Sequence, residues 1–537
     1  MGDVEMNKVG AAEPISRTAD LSASARQLVD AASAALQRRQ AQPAEQALRT
    51  ALLQAPEHPE ILRLLAVALR MQKRDAEALA AIRRAAAQCP DDALIQNGLG
   101  TALDTHGDRD GAIAAFRRAC ELAPQSSQLW ANLGKTLSDA GRLEEALPVL
   151  ERAAAMSGHR PTHLRLAYAL RGLGQTDESA RRFRDVVARS PADATAWLGL
   201  ASLRTRSLGS EDVSAMQEVL QSTRLNIDER ISLGFALAKA LDDHGRYAEA
   251  FAALTEANAL TRQIRPWSAA KLSARVDAGL AAFQTPAAGA PNGQGAEVIF
   301  IVSVPRAGSS LTEQILASHP QIDGAGEIDD LTAVIAAESN RRELTFPQWV
   351  AAATPLDWQR LGEEYLARTA HLRTGRARFT DKLPGNWLRV GAAMAMLPGA
   401  RVIDCRRDAV ESCFSCYRTL FAEGTQAYSY DLGDLAAYWH DYDRTCRHWQ
   451  ALYPHAFRMQ SYEALVADPE AQIRELLEFC GLPYDAACLR FHETQRNVRT
   501  ASASQVREPL MRDTARAAKY GALLDPLRAA LGTGTAA

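Results

Sequence analysis

Arg306, Gly308, Ser309 and Ser310 have the types and spacing that could hold an anion. They follow an uncharged, β-branched run, Val298 to Val304, of the kind that a strand buried on both faces requires. After Pro305, Arg306, Ala307, Gly308, Ser309 and Ser310, the apolar residues Leu311, Ile315 and Leu316 fall on one side of a helix. The order is a strand, a small polar turn and an amphipathic helix. Backbone N–H groups and two hydroxyls at residues 308 to 310 would sit at the helix N-terminus, where the dipole favours a phosphate. From this loop alone, an ordinary strand-to-helix connection is the alternative.

Further positive groups follow other short stretches that could pair in a sheet. Phe379 to Asp381 is followed by Lys382, and Arg401 to Cys405 by Arg406 and Arg407. Both runs read as strands, as does Ala456 to Gln460, and helical patterns separate them. The clearest helix has Asp468 as its N-cap and Pro469 at its first position. Ile473, Leu476, Leu477 and Cys480 share one of its faces, and Gly481 lies just past its end. Strands alternating with helices imply an α/β, P-loop-like domain with a mostly parallel central sheet. Ligands of such sheets collect at the carboxyl ends of strands, where the anion loop, Lys382, Arg406 and Arg407 would all emerge.

The chemistry is narrowed by what is missing. A Walker loop needs a lysine after its last glycine, whereas here the positive charge, Arg306, precedes Gly308. No pair of acids positioned for Mg²⁺ accompanies the loop, so ATP-dependent phosphoryl transfer has weak support. A sulfuryl group carries less negative charge than a terminal phosphoryl group and can be transferred with cationic side chains alone.

At this point a family resemblance can be stated. PRAGSSLTEQIL after a strand resembles the 5′-phosphosulfate loop of sulfotransferases that use 3′-phosphoadenosine 5′-phosphosulfate (PAPS). CRRDAVESCFS resembles their 3′-phosphate motif, in which Arg407 and Ser415, eight residues later, would grip the 3′-phosphate. Over about Glu297 to Tyr520 the chain is most similar to the tyrosylprotein sulfotransferase type, including bacterial relatives with tetratricopeptide repeats. The resemblance implies that Glu327, closing HPQIDGAGE, is the catalytic base and Lys382, in TDKLPGN, the catalytic lysine. It implies further that Tyr462, in QSYEALVADP, contacts the nucleotide and that Ser502, in SASQVREP, serves both catalysis and nucleotide binding. Arg306, Ala307, Gly308, Ser309 and Ser310 would form the 5′-phosphate cradle, with Arg306, Lys382 and Ser502 stabilising charge on the sulfuryl and bridging oxygens. Ala307 stands where the loop often has Ser, and Thr419 where some relatives have a further Arg, with Arg418 adjacent. Near the C-terminus Arg516 fits the family's basic nucleotide-gripping residue, Lys519 is its rival, and the usual neighbouring Trp is missing.

The preceding half of the chain repeats itself. Pro56, Pro90 and Pro124 are 34 residues apart, a period that means stacked helical hairpins. Aligned on them, one column holds Ala32, Ala66, Gly100, Gly134 and Ala167, and another holds Ala44, Ala78, Ala112 and Ala146. Larger Leu48, Ile82, Phe116 and Leu150 form a third, and Ala51, Ala85, Ala119 and Ala153 a fourth. These columns resemble tetratricopeptide repeats. Ser179 replaces an expected Ala, residues 205 to 226 break the period, and Ala238, Ala250, Leu254 and Ala257 resume it. The expected organisation is a flexible tail over 1–22, an α-solenoid of tetratricopeptide repeats over 23–265 and a helix with a Pro/Gly/Ala linker over 266–294. The sulfotransferase domain would follow over 295–525, with a C-terminal tail over 526–537.

Composition sets further bounds. A net charge of -3 over 537 residues argues against wholesale nucleic-acid or membrane-surface binding. No secretory signal or membrane span is visible, and eight scattered cysteines fit a reducing, cytoplasmic compartment. Cys413 and Cys416 form a lone C-x-x-C pair, read as small buried residues on a helix rather than a redox or metal motif. His440, Asp441, Cys446 and His448 crowd together, yet Tyr438, Tyr442, Cys446 and Trp449 recur as an ordinary buried helix face, so no metal is expected. The leading expectation is a PAPS-dependent sulfotransferase whose repeats recruit a protein or peptide acceptor, with a tyrosine hydroxyl foremost and a homodimer left open. A glycan, lipid or small-molecule acceptor, a non-catalytic repeat scaffold and an ATP-dependent kinase are the alternatives.

Overall fold

The computed structural model describes residues 17–203, 208–494, 507–510 and 515–533. Ser502 lies outside the described residues. The chain forms two compact units, Met1–Ser190 and Pro191–Ala537. Fifteen helices lie between Ala23 and Ala282 among the described residues, and a domain with a central sheet follows them. None of the described helices is long and apolar enough to cross a membrane.

In the first unit the repeat columns become contacts. Leu48, Ile82, Phe116 and Leu150 are buried, as are the small residues sixteen positions before them. The two columns exchange volume: a methyl group added at Gly100 would lie 2.8 to 2.9 Å from three ring carbons of Phe116, and one at Gly134 2.5 Å from Leu150. The corresponding positions of the first two repeats, Ala32 and Ala66, carry alanine and are also buried. Ser179, the exception among the alanines, is fully buried, and its hydroxyl donates to the Ala167 carbonyl at 2.8 Å. The burial is tolerated because the hydroxyl has a partner. A second periodic device is a hydrogen bond back across six residues. Gln96 donates to Pro90 O (2.8 Å), Trp130 to Pro124 O (3.0 Å) and His163 to Ser157 O (3.1 Å), and in the second unit Trp197 donates to Pro191 O (2.8 Å).

The second unit begins inside the repeat region and keeps the hairpin of Ile227–Asp243 and Tyr247–Ile264 together with the sheet domain. Five strands pair in parallel in the order β2-β3-β1-β4-β5, with β1 Val298–Ser303, β2 Ile322–Gly324, β3 Arg378–Lys382, β4 Arg401–Arg406 and β5 Phe457–Ser461. Four of these match the expected runs, while three-residue β2 was not foreseen. The helix Pro469–Phe479 starts on Asp468, whose side chain accepts from Ala471 N, and Gly481 beyond its end has φ 68°. Both observations agree with the expected capping.

Three expected segment assignments need correction. Residues 17–22 are not a free tail: Arg17 pairs with Glu60 at 2.9 Å and with Asp92, and Leu21 is buried. At the other end, Asp525–Leu531 is a helix whose Leu527 and Leu531 are buried, so 526–537 is not simply a tail. The Pro/Gly/Ala stretch is not a loose linker either. Ala290 N donates to Ala395 O (2.9 Å), and the Gln294 amide donates to the carbonyls of Gln359 (2.9 Å) and Met396 (3.0 Å). Low apolar periodicity hid these contacts because the bonds run through backbone and one amide side chain.

The hairpin is fastened to the sheet domain by a buried acid. Asp242, 3 % exposed, accepts from Arg418 (2.8 Å), Arg516 (2.5 Å) and the Tyr520 hydroxyl (2.8 Å). Asn258 adds a bond to Tyr417 O at 3.1 Å. Replacing Asp242 by Ala takes the acceptor from the largely buried Arg418 guanidinium and the buried Tyr520 hydroxyl and should cost about 3 kcal/mol, read as a lower midpoint in urea unfolding of the second unit. In the first unit, Gly100→Val should cost about 2 kcal/mol by overpacking, and less than that in a Phe116→Ala background, where the facing ring is gone. Equal thermal melting of Gly100→Val and wild type would show that the two columns do not exchange volume.

Candidate active site

The sheet order decides which loops meet. Because β1 lies between β3 and β4 and all strands are parallel, the loops after these three strands emerge side by side at one edge. This is the carboxyl-end crevice where α/β sheets bind ligands.

The loop after β1 is sharply turned, with φ 71° at Arg306 and 98° at Gly308. A non-glycine residue in the left-handed region is uncommon and is kept only where surrounding contacts hold it. Here the Arg306 Nε donates to Ser415 Oγ at 3.2 Å, and Cys416 Sγ donates to Pro305 O at 3.2 Å. At Gly308 a side chain would meet Tyr462, whose Cδ2 would be 2.9 Å from an added Cβ. Ala307, Ser309 and Ser310 are buried, and the helix Ser309–Ala317 begins directly after Gly308. That helix is less amphipathic than its apolar spacing suggests: Thr312, Glu313 and Gln314 are buried along with Ile315 and Leu316.

The end of β4 and the loop after it supply two arginines with different surroundings. Arg406 is held by Asp404 (2.7 Å) and Asp443. Burial pushes the Asp404 carboxyl upward, and the Tyr442 hydroxyl also donates to it. Arg407 instead lies 5.0 Å from the centre of the Tyr462 ring and 3.3 Å from Glu411. The anion loop, Arg407, Ser415 and Tyr462 are thus brought into one group through Gly308, Arg306 and the Tyr462 ring. Ser415 comes from the helix Ala409–Tyr417, where Thr419 donates to Ser415 O at 2.8 Å.

At the end of β3, Lys382 is 0 % exposed, and its Nζ lies 2.5 Å from Glu327 Oε1. Glu327 itself is exposed to solvent. Next to Lys382 in β3, Asp381 is pushed up to about 8 by burial and is held by Tyr365 (2.8 Å) and Asn386 (3.3 Å).

Of the two C-terminal basic residues, Arg516 meets Glu411 through its backbone alone. Glu411 accepts from the backbone N–H groups of Arg516 (3.0 Å) and Ala517 (2.7 Å) while it pairs with Arg407, whereas the Arg516 side chain turns to Asp242. Lys519 is exposed. Glu313, Glu411 and Asp242 were not singled out from sequence. An acid among the apolar positions of a buried helix is the signal that would have marked Glu313.

The other cysteines and histidines singled out from sequence have contacts of their own. Cys413 and Cys416 are fully buried on one helix, and burial pushes the Cys416 thiol up to about 12. Tyr438, Tyr442, Cys446 and Trp449 are buried as a helix face, while His440 and His448 contact the Ala530 (2.9 Å) and Phe283 (2.8 Å) carbonyls.

Comparison with known proteins fits this architecture. Residues 298–486 match the sulfotransferase family, and residues 29–93, 97–161 and 164–215 match the tetratricopeptide repeat. An uncharacterized protein of Aquifex aeolicus is 29% identical over 369 residues, covering 66% of this chain and 48% of the relative. The chain therefore spans about half the length of the curated relative it matches. Among solved structures, a tetratricopeptide repeat protein from Parabacteroides merdae overlaps 44% of this chain and 93% of its own, at 17% identity and TM-score 0.34. YrrB, described as a repeat protein with an unusual peptide-binding site, overlaps 33% of this chain and 94% of its own at 20% identity and TM-score 0.29. For MamA the corresponding values are 32%, 94%, 19% and 0.29. The fold rests on the observed helices and sheet and on the family matches rather than on these overlaps. The chain carries a sulfotransferase-family domain preceded by tetratricopeptide repeats.

Proposed function

We propose that the protein transfers the sulfuryl group of PAPS to an acceptor hydroxyl, foremost a protein or peptide tyrosine recruited by the repeats. The observation that carries this reading is the 2.5 Å contact between Glu327 and fully buried Lys382, at the same sheet edge as the anion loop. In this reading Glu327 takes the acceptor proton while the acceptor oxygen attacks sulfur. The sulfur then parts from the bridging oxygen of the nucleotide, which leaves as 3′,5′-adenosine bisphosphate. Lys382 and Arg306 stabilise the charge that gathers on the bridging and sulfuryl oxygens. Gly308, Ser309 and Ser310 receive the 5′-phosphate, while Arg407 and Ser415 receive the 3′-phosphate beside Tyr462. Ala307 holds the turn itself, its N–H donating to Val304 O at 3.3 Å, and Ser502 and Arg516 complete the grip as the family resemblance implies. The group needs no metal in this scheme, because the cations are side chains.

Binding and turnover separate the readings. The bisphosphate at 100 times its Kd should stabilise the protein by about 2.7 kcal/mol, seen as a thermal shift that ATP with Mg²⁺ does not reproduce. Chelators should leave transfer unchanged. Glu327→Ala should lower kcat by roughly 10²–10⁴-fold while keeping the bisphosphate shift. Wild-type turnover in that variant would remove Glu327 as the base, and absence of any bisphosphate shift in the wild type would sink the donor assignment. A panel of tyrosine peptides against sugars and small phenols reads the acceptor; transfer confined to the sugars would overturn the tyrosine choice.

A further inference from the structure

Glu313 is a buried acid for which the reaction outlined above has no use. It lies on the helix Ser309–Ala317 and is 1 % exposed. A carboxylate removed from water to this degree needs donors around it. Two of them are specific: Gly326 N donates to Glu313 Oε1 at 2.7 Å, and the Thr380 hydroxyl donates to the same oxygen at 3.1 Å.

Their positions in the sheet give the contact its meaning. β2 runs in register with β3 only as far as Gly324 opposite Thr380. Residues 325 to 327 therefore leave the strand ladder just before the proposed base. Two bonds replace the ladder: Glu313 takes the Gly326 N–H, and the Gly326 carbonyl accepts from Lys382 N at 3.0 Å. Gly326 has φ 78°, so the chain turns there while both flanking peptide groups are held. The next side chain is Glu327, which meets Lys382 Nζ. Lys382 thus fixes the turn with its backbone and faces the base with its ammonium, and Glu313 holds the turn from the side of the anion-loop helix.

We infer that Glu313 is a positioning residue that sets the place of Glu327 from the helix that opens with the anion loop. This inference rests on the assignment of Glu327 as the base. It links the two halves of the site, because the helix that would receive the 5′-phosphate at its first turn also holds the base through its fifth residue. Truncation of the carboxylate frees the turn, and a displacement on the order of 1 Å at a reacting group costs about 10²-fold in rate.

The test uses the full chain with Glu313→Ala, Glu313→Gln, Glu327→Ala and the Glu313→Ala/Glu327→Ala double variant. Glu313→Ala should lower kcat by roughly 10 to 100-fold with the bisphosphate thermal shift retained. Glu313→Gln, whose amide oxygen still accepts a hydrogen bond, should recover most of the rate. In the Glu327→Ala background the Glu313→Ala change should cost nothing further, since it acts through the missing base. Hydrogen exchange gives a readout without turnover: the peptide containing Gly326 should lose protection in Glu313→Ala and keep it in Glu327→Ala. Wild-type kcat in Glu313→Ala, an equal loss in both backgrounds, or unchanged Gly326 protection would overturn the inference. If Glu313→Ala does not fold, Glu313→Gln and Thr380→Val carry the test, because Thr380→Val removes a second donor to the same oxygen and should lower kcat with the bisphosphate shift intact. An unchanged rate in Thr380→Val together with unchanged Gly326 protection would count against it. Failure of the wild type to bind the bisphosphate would instead strike the donor assignment, and the exchange result would stand apart from it.

Discussion

A lysine ammonium buried completely at the end of β3 sets the condition that the surrounding site must meet. Burying a charge is tolerated only when it is paired and hydrogen-bonded. Lys382 meets that condition through Glu327 at 2.5 Å. The consequence is geometric, because the pair fixes an exposed carboxylate against a sheet edge that a flexible loop could not define. The same logic recurs around it. Arg406 is held by Asp404 and Asp443, and Arg407 is steadied by Glu411 and the face of Tyr462. Of these two adjacent arginines, one is thereby held between two carboxylates and the other against the Tyr462 ring.

Parallel pairing then brings these groups together without any of them being near in sequence. β1 sits between β3 and β4, so Arg306, Lys382 and Arg407 leave neighbouring strand ends. The turn after β1 is too tight for a side chain at Gly308, where Tyr462 closes in from the segment after β5. The ring that excludes a side chain at Gly308 is also the surface on which Arg407 rests. Sheet order, not sequence distance, is what makes this a single site.

Much of this was legible in the sequence because it depends on local patterns. An uncharged β-branched run marked β1, short stretches between helical patterns marked three further strands, Asp468 and Gly481 marked the ends of a helix, and small residues every 34 positions marked the hairpins. What escaped was structure carried by polar bonds. β2 has only Ile322, Asp323 and Gly324, too short and too polar to register as a strand, and it exists because β3 offers a paired edge. The stretch from 284 to 296 has no apolar period, yet Gln294 ties it to two carbonyls. Glu313 sits among apolar helix positions and reads as a solvent-facing acid until its donors, thirteen and sixty-seven residues away, are in place.

The last hairpin shows why a repeat pattern can be read correctly and still leave out what its final member does. Ala238, Ala250, Leu254 and Ala257 obey the columns, and Gly234 approaches Ala257 so closely that an added Cβ would lie 2.8 Å from its methyl. Those columns record what helices in a stack need from each other. Asp242 occupies a position that is Leu36, Arg70, Asp104, Ser138 and Arg171 in the earlier repeats, so the period places no demand on it. In the final hairpin there is a different neighbour to satisfy, with Arg418, Arg516 and Tyr520 converging on one carboxylate. A residue free to vary inside the array thereby becomes the fixed point between the hairpin and the sheet domain. Arg516 is joined to Asp242 by its side chain and to Glu411 by its backbone, and Glu411 pairs with Arg407, so the hairpin is connected to the proposed 3′-phosphate grip through two ion pairs and the backbone of Arg516 between them. Neither half of that connection could be read from the repeats or from the sulfotransferase motifs taken alone, since it exists only where the two patterns meet.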